Sequence, residues 1–261
     1  MGNREHALMH LRNTLKRRQY RFSLQSRQKK FDLFWALMKP NSGERVLNIG
    51  ATPPHLGLAL TGEQTDGCFE QPEQDPRWGS LEVVGINLDH ENSRQYGAFY
   101  QRANRTAVTA DACRLPFRDE AFDIVFSNAV IEHVPGALQK RMADEIMRVG
   151  RSWFITTPNF WYPIEMHHKL PLFQYLPRSL QRNLQVRFHT WPESETISLL
   201  SARQFKRLFP GSELLKVRVT FWPETLIVFH RDLRHVTLPG HSAGKASDLE
   251  GQRTDVPVEL A

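Results

Sequence analysis

The stretch that decides the fold is "ADACRLPFRDEAFDIVFSNAVIEHV", residues 110–134. It holds an acidic turn, an apolar run at Phe122–Asn128, and then Asn128, Ala129, Glu132 and His133. The run is apolar at successive positions rather than alternating, which predicts a strand covered on both faces, as in a parallel sheet between helices. Upstream, "TAVTADA" (106–112) predicts a third strand with Asp111 just past it, and "LEVVGINL" (81–88) and "RVLNIG" (45–50) predict two earlier ones. Downstream, "ALQKRMADEIMRVG" (137–150) is an amphipathic helix with Gly150 as a favoured stop, and "RSWFITTPN" (151–159) is a fifth strand. Strands alternating with helices define an α/β doubly wound sheet.

The chain closes this pattern unusually. After a short helix, "SARQFKRLFPG" (201–211), capped by Ser201 and stopped at Gly211, "ELLKVRVTFW" and "TLIVFHRD" bracket Pro223-Glu224 and read as an antiparallel pair. A plain dinucleotide-binding domain does not end this way. Residues 62–80 are polar and rich in turn formers, and read as a long loop. The organisation expected is a basic helical extension over 1–40, a main domain over 41–235 with an aromatic-rich substrate cap at 160–200, and a disordered tail over 236–261.

Composition narrows the class. The chain has 261 residues, 40% of them hydrophobic, and a net charge of +6. No apolar run has the length of a membrane span, and the N-terminus lacks the apolar core of a signal peptide. Two cysteines, Cys68 and Cys113, make neither a disulfide framework nor a metal spacing, so the expected setting is a reducing cytoplasm. His167-His168 supplies no third ligand, and no metal site is expected. The charge is concentrated: residues 1–40 hold ten Lys or Arg against Glu5 and Asp32, a net of +8. Such an arm suits a solvated helical face, an acidic partner or a membrane surface.

In doubly wound sheets ligands bind outside the carboxyl ends of the strands. Four strand ends therefore matter. The first carries Asn48, Gly50, Ala51 and Thr52, and Gly50 has no Cβ to hold a ligand off. The second carries Asn87 and Asp89, suited to ribose hydroxyls. Asp111 and Ala112 follow the third, where a carboxylate can accept from an exocyclic amine; Asn128 and Ala129 follow the fourth. Each acid also suits a turn or helix cap when taken singly.

The segment 110–134 resembles the class I S-adenosylmethionine-dependent methyltransferases, specifically the small-molecule group related to ubiquinone and menaquinone methyltransferases. The shared pattern is Asp-Ala, Leu-Pro-Phe, an acidic turn, Phe-Asp, an apolar strand and Glu-His. It extends over roughly residues 43–160, and "TTPNFWYPIEMHHKLPLFQYLP" (156–177) looks like a subgroup with Thr-Pro-Asn followed by Pro-x-Glu. The resemblance implies a Rossmann-like sheet of seven mostly parallel strands, with S-adenosyl-L-methionine as cofactor. It implies methionine contacts from the first loop, ribose contacts from Asn87 or Asp89, adenine contacts from Asp111 and Ala112, and methyl-side contacts from Asn128 and Ala129. His133 would stand near the reacting centre.

Methyl transfer needs the nucleophile and the methyl carbon on one axis, and a hydroxyl acceptor also needs a base. The candidates are His133, His168 and Glu165, with His167, His189 and Glu132 behind them. The implied acceptor is a small molecule or a glycan or lipid precursor. Two departures open a rival reading. Asn48 stands where the family usually carries an acid, and Gly50-Ala51-Thr52-Pro53-Pro54 replaces a Gly-x-Gly loop. An amide offers only a neutral hydrogen bond to a cationic cofactor. The rival is a non-catalytic partner or regulatory protein of the same fold with a degenerate loop. A nucleic-acid methyltransferase is disfavoured, because "NAVI" replaces a base-flipping tetrad after the fourth strand.

Overall fold

The computed structural model describes residues 3–52, 75–100, 105–164, 171–188 and 197–233. Seven strands form one sheet in the order β3-β2-β1-β4-β5-β7-β6. They are β1 (Arg45–Ile49), β2 (Glu82–Asn87), β3 (Arg105–Thr109), β4 (Phe122–Asn128), β5 (Gly150–Pro158), β6 (Glu213–Val217) and β7 (Thr225–His230). The first five are mutually parallel, and β7 runs antiparallel to both β5 and β6. The sheet expected from the sequence is therefore present, closing hairpin included. β1 lies between β2 and β4, so the chain reverses its winding at the carboxyl ends of β1 and β4. Ligand crevices open at such a switch point.

Two layers cover the sheet, and a further helix, α4 (Arg178–Phe188), follows β5 along the chain. On one face, α3 (Gln139–Val149) and α5 (Ala202–Leu208) bury Met142, Ala143, Ile146 and Phe205 against Val125, Ile155 and Val228. Ser201 and Gln204 form a reciprocal capping box at the start of α5, and Gly211 ends that segment at φ +79°. On the other face lies α1 (Asn3–Met38), whose Phe31, Phe34 and Met38 pack on Val46, Phe126, Phe154 and Ile227. Helical spacing puts these three residues on one stripe. The last turns of the basic segment are thus part of the core.

Two local readings change. The first concerns the end of the 62–80 loop, where Asp75 caps a short turn at Pro76–Ser80 and buries Trp78 completely. Its indole stacks on Phe34 at 5.1 Å and meets Phe126 edge-on. The second concerns Gly150, which caps α3 as expected but is also the first residue of β5, at φ −110°. A Cβ there would lie 2.4 Å from Val125 Cγ2, so it is strand packing that requires glycine. Pro53-Pro54, most of the 62–80 loop and the 236–261 tail lie outside the described residues.

Candidate active site

Because β1 to β4 run parallel, their carboxyl ends share one edge of the sheet. That edge gathers Asn48, Gly50, Ala51, Thr52, Asn87, Asp89, Asp111, Ala112, Asn128 and Ala129 from four separate segments. Asn48 is buried in β1 between Gly85 of β2 and Phe126 of β4. Gly50 follows at φ +82°, a left-handed conformation that glycine adopts without steric cost. The space its missing Cβ leaves is taken by Val130, whose Cγ2 would stand 2.4 Å from that atom. The Gly50 and Ala51 N–H groups both donate to the Ile86 carbonyl, at 2.9 and 3.0 Å. Glycine here lets the first and fourth strand ends close on each other, and the backbone donors of this turn are already committed.

The second strand end separates its two candidates. Asn87 is a tie: its Nδ2 donates to the Ala51 carbonyl at 3.0 Å and its Oδ1 accepts from the Asp89 N–H at 2.9 Å. Asp89 is exposed and caps α2 (His90–Phe99), accepting from the Asn92 N–H at 2.7 Å through Oδ1. Tyr96 of α2 packs against Gly85 and Ala51, so closely that a Cβ at Gly85 would lie 2.6 Å from the ring. Asp111 is likewise exposed and holds its own turn, accepting from the Cys113 N–H at 2.8 Å. Burial and the neighbouring Asp111 carboxylate push the Cys113 thiol up, which keeps it protonated. Ala112 is half-buried against the core.

The fourth strand end carries backbone strain. Ala129 has φ +56°, held there by its N–H, which donates to the Thr156 carbonyl at 3.1 Å and to Thr156 Oγ1 at 3.2 Å. Thr156 Oγ1 in turn donates to Asn128 Oδ1 at 2.8 Å. A non-glycine residue in this region costs on the order of 1–3 kcal/mol, and such residues cluster at active sites. The chain then makes one short turn, Ile131–His133, that sends two adjacent side chains opposite ways. His133 is exposed, whereas Glu132 is fully buried and accepts from Thr157 Oγ1 at 3.1 Å. Glu165, His167, His168 and His189 lie outside the described residues.

Sequence reading missed a buried charge cluster below this turn. Lys30 of α1 is 8% exposed and faces the Glu132 and Glu224 carboxylates. Burial brings its ammonium down to about 8; Arg27 adds to this, and the two carboxylates oppose it. Glu224 is buried at the foot of β7, accepts from the Val219 N–H through both oxygens at 3.0 Å, and is raised by burial. The pattern of α1 carried no signal for this, because a lysine among lysines reads as solvated surface. Among the described residues no group of His, Cys, Asp and Glu could hold a metal ion.

Fold and winding order place the strand-end residues at the switch point of an open α/β sheet, where ligand crevices lie. Residues 68–152, about a third of the chain, match the family described as "Methyltransferase domain". It is 24% identical over 150 residues to an uncharacterized methyltransferase of Mycolicibacterium vanbaalenii, which covers 57% of this chain and 52% of that protein. A second, from Mycobacterium leprae, is 26% identical over 149 residues, covering 56% and 54%. The chain thus spans about half the length of these relatives. Among solved structures, the PH0226 protein from Pyrococcus horikoshii OT3 shares the fold with a TM-score of 0.51 at 15% identity, over 79% of this chain and 90% of that one. No helix among the described residues is long and apolar enough to cross a membrane.

Proposed function

We propose that the protein is an S-adenosyl-L-methionine-dependent methyltransferase acting on a small-molecule, glycan or lipid-precursor acceptor in the cytoplasm. The observation that carries this reading is the pairing of two exposed carboxylates, Asp89 and Asp111, at adjacent strand ends, next to a strained Ala129 at the switch point. Asp89 is the ribose ligand, since both ends of the Asn87 amide are spent on the backbone. Asp111 and Ala112 meet the adenine. Asn48 and Thr52 face the methionine part, and Asn128 and Ala129 line the methyl side. When bound, the cofactor supplies an activated methyl group on a sulfonium, so the chain's own work is alignment and exclusion of water. His133, exposed on the turn after β4, is the base for a hydroxyl acceptor, with Glu165 and His168 as further candidates. The rival reading, a non-catalytic partner of the same fold, draws on the committed donors of Gly50 and Ala51.

Calorimetry with the cofactor decides between them. Micromolar binding is expected. It disappears in Gly50→Arg, where any side chain collides with Val130, and it weakens about tenfold in Asp111→Ala, which loses one charged hydrogen-bond partner. Absence of heat from a well-folded chain across millimolar cofactor would establish the non-catalytic reading instead.

A further inference from the structure

Beside the site, large apolar side chains face solvent. Phe221 is 84% exposed and Trp222 46%, on the turn between β6 and β7; Trp161 is 57% exposed, just beyond β5. Isolated exposed aromatics need no explanation, but these belong to one surface. Asn159 joins the two segments, donating through Nδ2 to the Pro223 carbonyl at 2.9 Å and through its N–H to the Glu224 carbonyl at 2.8 Å. Its Oδ1 accepts from the Trp161 N–H at 3.1 Å. Trp161 then stands 5.9 Å from the ring of Tyr175, itself exposed beside Leu172.

The aromatic turn is held out rather than left loose. Buried Glu224 grips the Val219 N–H, and Thr220 Oγ1 accepts from the Trp222 N–H at 3.4 Å. Next to it runs the basic helix α1, whose Lys29 Nζ donates to the Arg218 carbonyl at 2.9 Å. The charge beside this turn is mostly basic. Residues 214–223 hold Lys216 and Arg218 with no acid, and the adjacent turns of α1 hold Arg27 and Lys29.

We propose that this aromatic edge, together with Arg27 and Lys29 of α1 and Arg218, docks the protein on an anionic lipid bilayer. Tryptophan and tyrosine are favoured at the depth of lipid headgroups, and neighbouring lysines and arginines are drawn to anionic lipid. The surface borders the carboxyl edge of the sheet, so docking would bring a lipid-borne acceptor to the methyl side. That last consequence rests on the proposed methyl transfer; the docking itself does not.

The test is co-sedimentation of the full chain, without cofactor, with vesicles of phosphatidylcholine alone or mixed with phosphatidylglycerol. The chain is expected to pellet with the mixed vesicles, to stay in solution with the neutral ones, and to be released by salt. A Phe221→Ser/Trp222→Ser double variant, folded by circular dichroism, is expected to bind at least about tenfold more weakly. Arg218→Glu is expected to cost about fivefold or more, and Trp222 fluorescence to shift to the blue on binding. No binding to the anionic vesicles overturns the proposal, as does equal binding by the double variant. A concentration-dependent dimer that the double variant abolishes also overturns it, assigning the surface to a second copy of the chain. Vesicle binding without cofactor heat would remove the methyltransferase reading and leave the docking surface intact.

Discussion

The two edges of the sheet use the same charged residue types to opposite ends. At the amino edge several charges are answered by others. Arg231 Nη2 meets Glu44 at 2.7 Å with both side chains largely buried, and Arg151 meets Asp123 at 3.1 Å. Arg148 reaches Glu145 and Asp119, each at 2.8 Å. At the carboxyl edge Asp89 and Asp111 each hold only their own turn, and Lys30 has no carboxylate within ion-pair distance among the described residues. Among the described residues these close ion pairs gather at the amino edge, whereas at the carboxyl edge Asp89 and Asp111 stay exposed and Lys30 is buried without a close pair. Stability and binding should therefore separate under mutation.

The largest expected effect tests the amino edge. Glu44 also accepts from Asn41 Nδ2 at 3.0 Å, so Glu44→Ala strips two donors and leaves Arg231 largely buried without its charge partner. Orphaning a buried charge costs about 4 kcal/mol. In a chain of this size that lowers the melting temperature by about 10 °C. Cofactor affinity measured well below the melting point is expected to stay unchanged. A fall in affinity as large as the fall in stability would mean that the two edges are coupled and that the contrast is only apparent.

How legible each edge was follows from what holds it. Most of the strands could be read because continuous apolar runs have few other uses, and the closing hairpin was announced by Pro223-Glu224. That Asp89 and Asp111 lie just past strand ends could be read because position at a strand end is a local property. Trp78 could not, since its partners Phe34 and Phe126 come from two distant segments and its own neighbours are turn formers. Nor could Lys30, whose meaning depends on Glu132 and Glu224 far along the chain. What the sequence reading missed was side chains whose environment is assembled only by the tertiary fold. The same limit let Gly50 look like an approach to a ligand when its space belongs to Val130.

A second test uses pH to probe the carboxyl edge. With Lys30 brought down from 10.5 to about 8, the lysine is charged in folded and unfolded chains alike below that value, and the cost of burying the charge is fully present. Between 8 and 10.5 the unfolded chain holds a proton that the folded chain has released, so stability rises with pH across that window. The rise amounts to about 3 kcal/mol. Lys30→Met keeps the volume and removes the titration, so denaturant midpoints compared across the window are expected to differ in slope by about that amount. Parallel curves for the two proteins would show that Lys30 already meets solvent or a partner.

The smallest effect is the sharpest, because it asks what the carboxyl edge is for. Asn48→Asp changes one buried group from amide to acid with almost no change in shape. Without ligand, a carboxylate at this depth is unfavourable, so the melting temperature is expected to fall slightly. If the site faces the cationic amine of the cofactor, the same change replaces a neutral hydrogen bond with a charge-assisted one, and affinity is expected to rise about fivefold. The gain must fade at mildly acidic pH, where the buried acid takes up a proton. Calorimetry of both proteins at mildly alkaline and mildly acidic pH reads this directly. A loss of stability with no gain in affinity at either pH would make Asn48 a packing residue and move the methionine contact to Thr52 and the loop beyond it.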